Sequence, residues 1–373
     1  MGAGKTTSAI EYINKCIKSK RFIFITLYLA EAERIIRECN FYTPKAVGGK
    51  KLDDFEELIK QGKNVVTTHA LLRNFTLETL EYIKAYDYEL IIDEACDVID
   101  DYYLTDEDFT LLMSHFASVD EKGMLHWDKQ YTGAKFRQEM NLCNMQSLYR
   151  HKCGKFYWLQ SPLIYQSFQN VYIMTYRFES QLQKYYFDFM GLTYAYKNIP
   201  CSDKDYKGLI HFAEHESLYK WEDKNAFSKG WYVRQNKKSM QEVKLALNNY
   251  FRNLDVCYNP KTGKYRKSAS KHNMWTTYKP YKEKLSGKGY AKGFVSCNAR
   301  ATNEYADKNV IAYMCNIYVT PSIKAFFDVD DDEYALTEML QFLWRSAIRK
   351  GEDITVYIPS KRMRGLLTKW LKI

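Results

Sequence analysis

Three groups of residues, far apart in the chain, have types and spacings suited to handling a triphosphate. The first is Met1-Gly2-Ala3-Gly4-Lys5-Thr6-Thr7, in which Gly4-Lys5-Thr6 supplies the second half of the pattern G-x-x-x-x-G-K-[ST]. Small residues in such a loop let backbone N–H groups curl around phosphate oxygens. The lysine ammonium reaches the terminal phosphates, and the hydroxyl holds Mg²⁺. Gly2, Ala3, Gly4, Lys5, Thr6 and Thr7 are therefore the candidate nucleotide-binding residues. The first glycine of the pattern would fall two residues before Met1, and so would the strand that leads into the loop. On this reading the chain is a fragment, or an open reading frame taken from an internal methionine.

The second group is Asp93-Glu94, which ends the apolar run Glu89-Leu90-Ile91-Ile92. A strand ending in two acids puts an aspartate at the carboxyl edge of a sheet, where with Thr6 it can hold Mg²⁺. The adjacent glutamate can then orient or deprotonate an attacking water. A solvated acidic turn is the bland alternative, since Asp97, Asp100 and Asp101 follow closely. The third group is Gln341, Arg345 and Arg349. Their i, i+4, i+8 spacing puts all three on one face if the segment is a helix.

The elements that must carry these groups can be read from apolar periodicity. Helical spacing follows the loop in Ser8-Ala9-Ile10-Glu11-Tyr12-Ile13, and strands are expected at Arg21 to Thr26, Asn64 to His69, Glu89 to Ile92 and Val171 to Thr175. Helices are expected between them, from Leu29 to Cys39, from Leu52 to Ile59 and after Ala70. That alternation points to an open parallel α/β sheet. Residues 105 to 168 lack a clear period and read as a partly helical insertion. A soft boundary falls between residues 191 and 207, giving domains at 1–195 and 205–373. In the second domain, strands are expected at Gly208 to Phe212, Gly293 to Cys297, Asn309 to Tyr313 and Ile354 to Pro359.

Composition narrows the classes of function. The 373 residues carry a net charge of +10, which suggests a polyanionic partner, nucleic acid first. The segment from Lys261 to Lys292 is the most basic, with Lys264, Arg266 and Lys271 interleaved with Tyr265, Trp275 and Tyr290. Cations pair with phosphates while bases stack on aromatic rings at ~1–3 kcal/mol each, so Lys264, Arg266, Lys271 and Trp275 are candidate nucleic-acid contacts. A solvated loop is the alternative. No apolar run reaches the ~20 residues of a membrane span, and no signal peptide is evident. Nine cysteines without a C-x-x-C pair fit free thiols in a reducing cytoplasm. Cys143, His151 and Cys153 match no common zinc spacing.

In their order along the chain, G-A-G-K-T, Thr26-Leu27-Tyr28-Leu29, Thr67-Thr68-His69-Ala70-Leu71 and D-E-A-C resemble motifs I, Ia, Ib and II of superfamily 2 helicases. More narrowly, they resemble the DEAD/DEAH-type helicases encoded by bacteriophages. Thr175 stands where motif III is expected, Ala299-Arg300-Ala301-Thr302-Asn303 resembles motif V, and Gln341 to Arg349 resembles motif VI. Departures are Cys96 at the fourth letter of motif II, the absent S-A-T of motif III, Trp344 for the motif VI glycine, and a final arginine one residue late.

The resemblance implies two RecA-like P-loop NTPase domains with ATP and Mg²⁺ in the cleft between them. It implies ATP hydrolysis with Glu94 activating water, and Arg345, then Arg349, with Gln341, stabilising the phosphate charge. It adds Thr26, Thr68, His69, Arg300 and Thr302 as nucleic-acid contacts. The implied activity is a DNA helicase or translocase working on single-stranded or forked DNA in phage replication or recombination, alongside phage replication proteins in the host cytoplasm and away from membranes. Two other readings stand beside it: a terminase-type packaging ATPase, which would carry nuclease acids, and a nucleic-acid-binding remnant without ATPase activity. The acidic run Asp328 to Glu333 is clustered too tightly for separated nuclease ligands.

Overall fold

Phe22, Ile23, Phe24 and Ile25 are all fully buried in the strand Arg21–Thr26 (β1). Continuous burial without alternation is what a strand covered on both faces by helices shows. β1 lies between Val65–Thr68 (β2) and Tyr88–Asp93 (β3) in a computed structural model that describes residues 4–46, 48, 50–131, 135–197, 206–297 and 304–372. The chain divides into two compact units, Gly4–Ile199 with Ala325–Asp328, and Pro200–Lys324 with Val329–Ile373.

In the first unit every strand of the main sheet is parallel. A segment that leaves after β3 forms five short strands: Ile99–Tyr102 (β4), Ala117–Val119 (β5), Leu125–Trp127 (β6), Leu148–Arg150 (β7) and Phe156–Leu159 (β8). The chain then returns as Asn170–Met174 (β9), and the main sheet has the order β2-β1-β3-β9. Pairing Thr26 with Thr68, Ile25 with Ile92 and Asp93 with Met174 brings these strand ends to one carboxyl edge. The excursion holds antiparallel pairs and its own core around Leu112, Leu125 and Leu148, with helices Asp106–His115 and Arg137–Asn144. It is richer in strand than its sequence suggested, because strands of three or four residues leave too short a period to read.

At the amino end of the same sheet Glu89 is fully buried. Its carboxylate accepts from Lys20 Nζ at 2.6 Å, Tyr12 Oη at 2.8 Å and Asn170 Nδ2 at 2.9 Å. A buried charge of this kind survives only when paired and saturated with donors.

The second unit contains a second parallel sheet. Its members are Ile210–Phe212 (β10), Asn273–Thr276 (β13), Val310–Tyr313 (β14) and Ile354–Tyr357 (β15), in the order β10-β15-β14-β13. Cys257–Asn259 (β11) and Lys264–Arg266 (β12) form a separate antiparallel hairpin. Two sequence expectations fail here. Gly293 to Cys297 is not a strand, since only Phe294 bridges to Trp275. The strand lies instead at β13, inside the segment expected to be a basic loop. Its polar residue Asn273 is satisfied internally by donating to Gly289 O at 3.0 Å, so burial cost does not exclude it.

Candidate active site

The helix Lys5–Cys16 begins directly after Gly4, whose φ of +71° is the left-handed conformation that glycine adopts without strain. Its Ala9, Ile10 and Ile13 face the sheet, which fixes the first turn against the carboxyl edge. Lys5 Nζ donates to Glu94 Oε1 at 2.7 Å and to Met174 O at 3.1 Å. Residues 89 positions apart in sequence thus meet at one point. Thr6 is half-buried beside Lys5, and the exposed Thr7 accepts from Arg34 Nη2 at 3.3 Å. Gly2 and Ala3 lie outside the described residues.

Asp93 closes β3 and Glu94 turns away with a φ of +67°. A non-glycine residue pays roughly 1–2 kcal/mol in that region, so surrounding contacts must hold it there. Glu94 N–H donates to Met174 O at 3.2 Å, and Thr175 Oγ1 donates to Glu94 Oε2 at 3.2 Å. Burial, then the neighbouring Glu94 charge, push the Asp93 carboxyl up to about 7, while Lys5 opposes the shift. The lysine is committed to Glu94, so Asp93 is a half-buried carboxyl short of positive charge. A hard divalent cation favours such a group, and with the Thr6 hydroxyl and phosphate oxygens it would complete an oxygen-only shell. His69 places Nε2 3.2 Å from Asp93 O, which holds the ring against the strand end.

Two expected nucleic-acid contacts are not placed to make them. Thr26 is fully buried, with Oγ1 accepting from Tyr28 N at 3.4 Å. Trp275 is also fully buried, its Nε1 donating to Tyr290 O at 2.8 Å, and it is a core residue rather than a stacking platform. Thr68 and His69 are half-buried at the carboxyl edge, and Lys264, Arg266 and Lys271 are exposed. Arg300 and Thr302 lie outside the described residues.

The expected continuous helix from Gln341 to Arg349 does not form. The helix Asp331–Leu343 stops because Ser346 Oγ donates to Leu343 O at 2.6 Å and Ala347 N–H leaves to Lys308 O at 2.8 Å. Gln341 is half-buried on that helix, Arg345 is buried in the following turn with Nη1 donating to Ser296 O at 3.4 Å, and Arg349 is exposed on a 3₁₀ turn. The three do not share one helical face.

Other candidates resolve into structure. Asp330 caps the Asp331–Leu343 helix through Asp332 N and Glu333 N, Asp331 pairs with Lys324 at 2.6 Å, and Asp332 with Arg362 at 2.7 Å. The acidic run is therefore occupied in capping and pairing. Among the described residues no group of three or more His, Cys, Asp or Glu side chains could hold a metal. None of their helices is long and apolar enough to cross a membrane.

Sequence reasoning missed two glutamines. Gln181 Nε2 donates to Thr175 Oγ1 at 2.8 Å, and Gln183 Oε1 accepts from Cys96 N at 3.1 Å. The available signal was their place, just after the β9 strand at the start of the helix Leu182–Met190.

Residues 204–371 match the model of the YonV C-terminal Rossmann-like domain. The chain is 35% identical over 412 residues to the SPbeta prophage-derived uncharacterized protein YonV of Bacillus subtilis (strain 168), covering 100% of this chain and 97% of that protein. Among solved structures, an XPD helicase chain matches with a TM-score of 0.51 at 10% identity, covering 100% of this chain and 93% of its own. At that identity the likeness speaks for fold, and with the two parallel sheets it gives a mixed α/β protein of two RecA-like domains.

Proposed function

We propose, from the premise that the chain belongs to the YonV family of prophage-derived proteins, that it is an ATP-dependent DNA helicase or translocase serving phage DNA replication or recombination. The observation that carries the reading is the 2.7 Å contact between Lys5 Nζ and Glu94 Oε1 at the carboxyl edge of a parallel sheet. It joins a phosphate-loop lysine to a strand-end glutamate with Asp93 beside it, the parts that phosphoryl transfer to water requires.

In this reading Lys5 turns from Glu94 to the β- and γ-phosphates of ATP, and the released carboxylate orients the attacking water. Thr6 and Asp93 would hold Mg²⁺, and the ion would supply positive charge to the phosphate oxygens. Backbone N–H groups of the first helical turn, from Lys5 onward, would meet the phosphates. Arg349, being exposed, suits contact with a phosphate better than the buried Arg345. Thr68, His69 and the basic hairpin supply contacts to a DNA strand.

The test is ATP turnover with and without single-stranded DNA. Lys5→Ala and Glu94→Gln should each lower kcat at least ~10²-fold. A folded chain that binds DNA but turns over no ATP would sink the motor and leave a binding protein. Nuclease activity with Mn²⁺ would instead favour a packaging ATPase.

A further inference from the structure

Glu94 is held by more than Lys5. Its second carboxylate oxygen receives a hydrogen bond from Thr175 Oγ1 at 3.2 Å. A hydroxyl has one proton, so it can serve Glu94 only if its oxygen is not itself required to donate elsewhere. Gln181 settles that point. Its Nε2 lies 2.8 Å from Thr175 Oγ1 and 2.9 Å from Tyr176 O. The Tyr176 carbonyl can only accept, which fixes the amide with its NH₂ on this side. Both amide protons are then used, one on Tyr176 O and one on Thr175 Oγ1. The hydroxyl oxygen accepts from Gln181 and its proton is directed to Glu94.

The backbone beyond Glu94 is anchored by a second amide on the same element. Gln183, almost fully buried, accepts from Cys96 N at 3.1 Å and donates to Tyr165 Oη at 2.9 Å. Tyr165 in turn donates to Gln160 Oε1 at 2.7 Å. Every member of that chain is buried and has a partner, the arrangement in which a polar network specifies one geometry. The left-handed turn at Glu94 is thus clamped on both sides, at Met174 O before it and at Gln183 after it.

We propose that Gln181 is a positioning residue for the reaction, acting through Thr175 to aim the Glu94 carboxylate, with Gln183 fixing the turn that carries it. This rests on the reading of Glu94 as the residue that activates water. It assigns to an amide outside the recognised motifs the task of keeping the carboxylate oriented once Lys5 has moved to the phosphates. Orientation of a general base acts on the chemical step and leaves nucleotide binding largely untouched.

The experiment is a kinetic double-variant cycle on the full chain, using Gln181→Met, Thr175→Val and the pair. Each single change should lower kcat by about 10–100-fold with KM for ATP within about twofold, and Thr175→Ser should restore most of the rate. The double variant should be no worse than the slower single, because both act on one hydroxyl proton. Additive losses, or a raised KM with kcat intact, would overturn the proposal. Should Gln181→Met fail to fold, Gln181→Glu keeps the shape but replaces the donor with an acceptor, and kcat should fall at least as far. If the unmodified chain hydrolyses no ATP, the functional reading fails by itself. The same cycle read in urea midpoints then decides whether the network exists: non-additive midpoints support it, and additive ones sink it.

Discussion

Replacing Asp93 by asparagine should stabilise the ion-free protein while abolishing its chemistry, and the gain should depend on pH in a defined direction. The Asp93 carboxyl is raised from 3.8 to about 7, mainly by burial and next by Glu94. Between those values the unfolded chain has released the proton and the folded chain still binds it. Folding therefore takes up a proton in this window, and stability falls as pH rises through it. About three units at about 1.36 kcal/mol each set an upper figure of about 4 kcal/mol. Asp93 keeps some contact with water, so we expect ~1–3 kcal/mol of it to be realised. Asparagine has the same shape and no charge to desolvate, and it escapes the whole effect.

The assay is urea unfolding of the first unit's transition in EDTA, at several pH values from 5 to 8, for the unmodified chain and Asp93→Asn. The stability of the variant relative to the parent should climb through that range and level off above pH 7 to 8. Mg²⁺-nucleotide should bind the parent more tightly as pH rises through 7, since the bound form needs the carboxylate. A stability difference that is flat with pH, or that shrinks as pH rises, would refute the claim that burial holds the Asp93 proton.

Glu89→Ala strips the partner from Lys20, Tyr12 and Asn170 at a fully buried position. It should cost ~3–5 kcal/mol in denaturant unfolding. Removing the exposed cations Lys264, Arg266 and Lys271 together should weaken binding to single strands of any sequence and reduce the slope of log K against log salt by about 2. Arg349→Ala should leave thermal stability within about 0.5 kcal/mol while lowering kcat. Arg345→Ala, by contrast, removes a buried guanidinium that reaches Ser296 O, and its main effect should be a drop in Tm.

The parts of the site that were legible in the sequence are those whose chemistry and element boundary coincide. Lys5 follows a glycine and opens a helix, and Asp93 ends an unbroken apolar run, so residue type and place are read together. Trp275 shows the opposite case. Aromatic residues among lysines read equally well as a binding loop or as a strand whose neighbours are basic. The choice is made by Nε1 finding Tyr290 O and by the ring packing on Phe294, contacts that no local pattern encodes. The continuous helix expected through Arg345 failed for a related reason. Nothing between Leu343 and Ala347 is a glycine or proline, so the sequence reads as unbroken helix. It ends because Ser346 turns its hydroxyl onto Leu343 O and a distant carbonyl, Lys308 O, claims the next N–H.

The glutamate turn shows why orientation is harder to read than composition. D-E after a strand predicts two acids at a sheet edge, yet a regular extended backbone would send consecutive side chains to opposite faces. The left-handed φ at Glu94 breaks that alternation, and it brings Glu94 to Lys5 and Thr175 while Asp93 stays half-buried at the strand end. One conformational departure thereby gives the two carboxylates different surroundings. Glu94 has the lysine, whereas Asp93 is left with burial and a like charge. If Asp93 holds a cation and Lys5 a triphosphate, as proposed above, burial favours the proton on Asp93 in the cation's absence, and Glu94 occupies Lys5 in the triphosphate's.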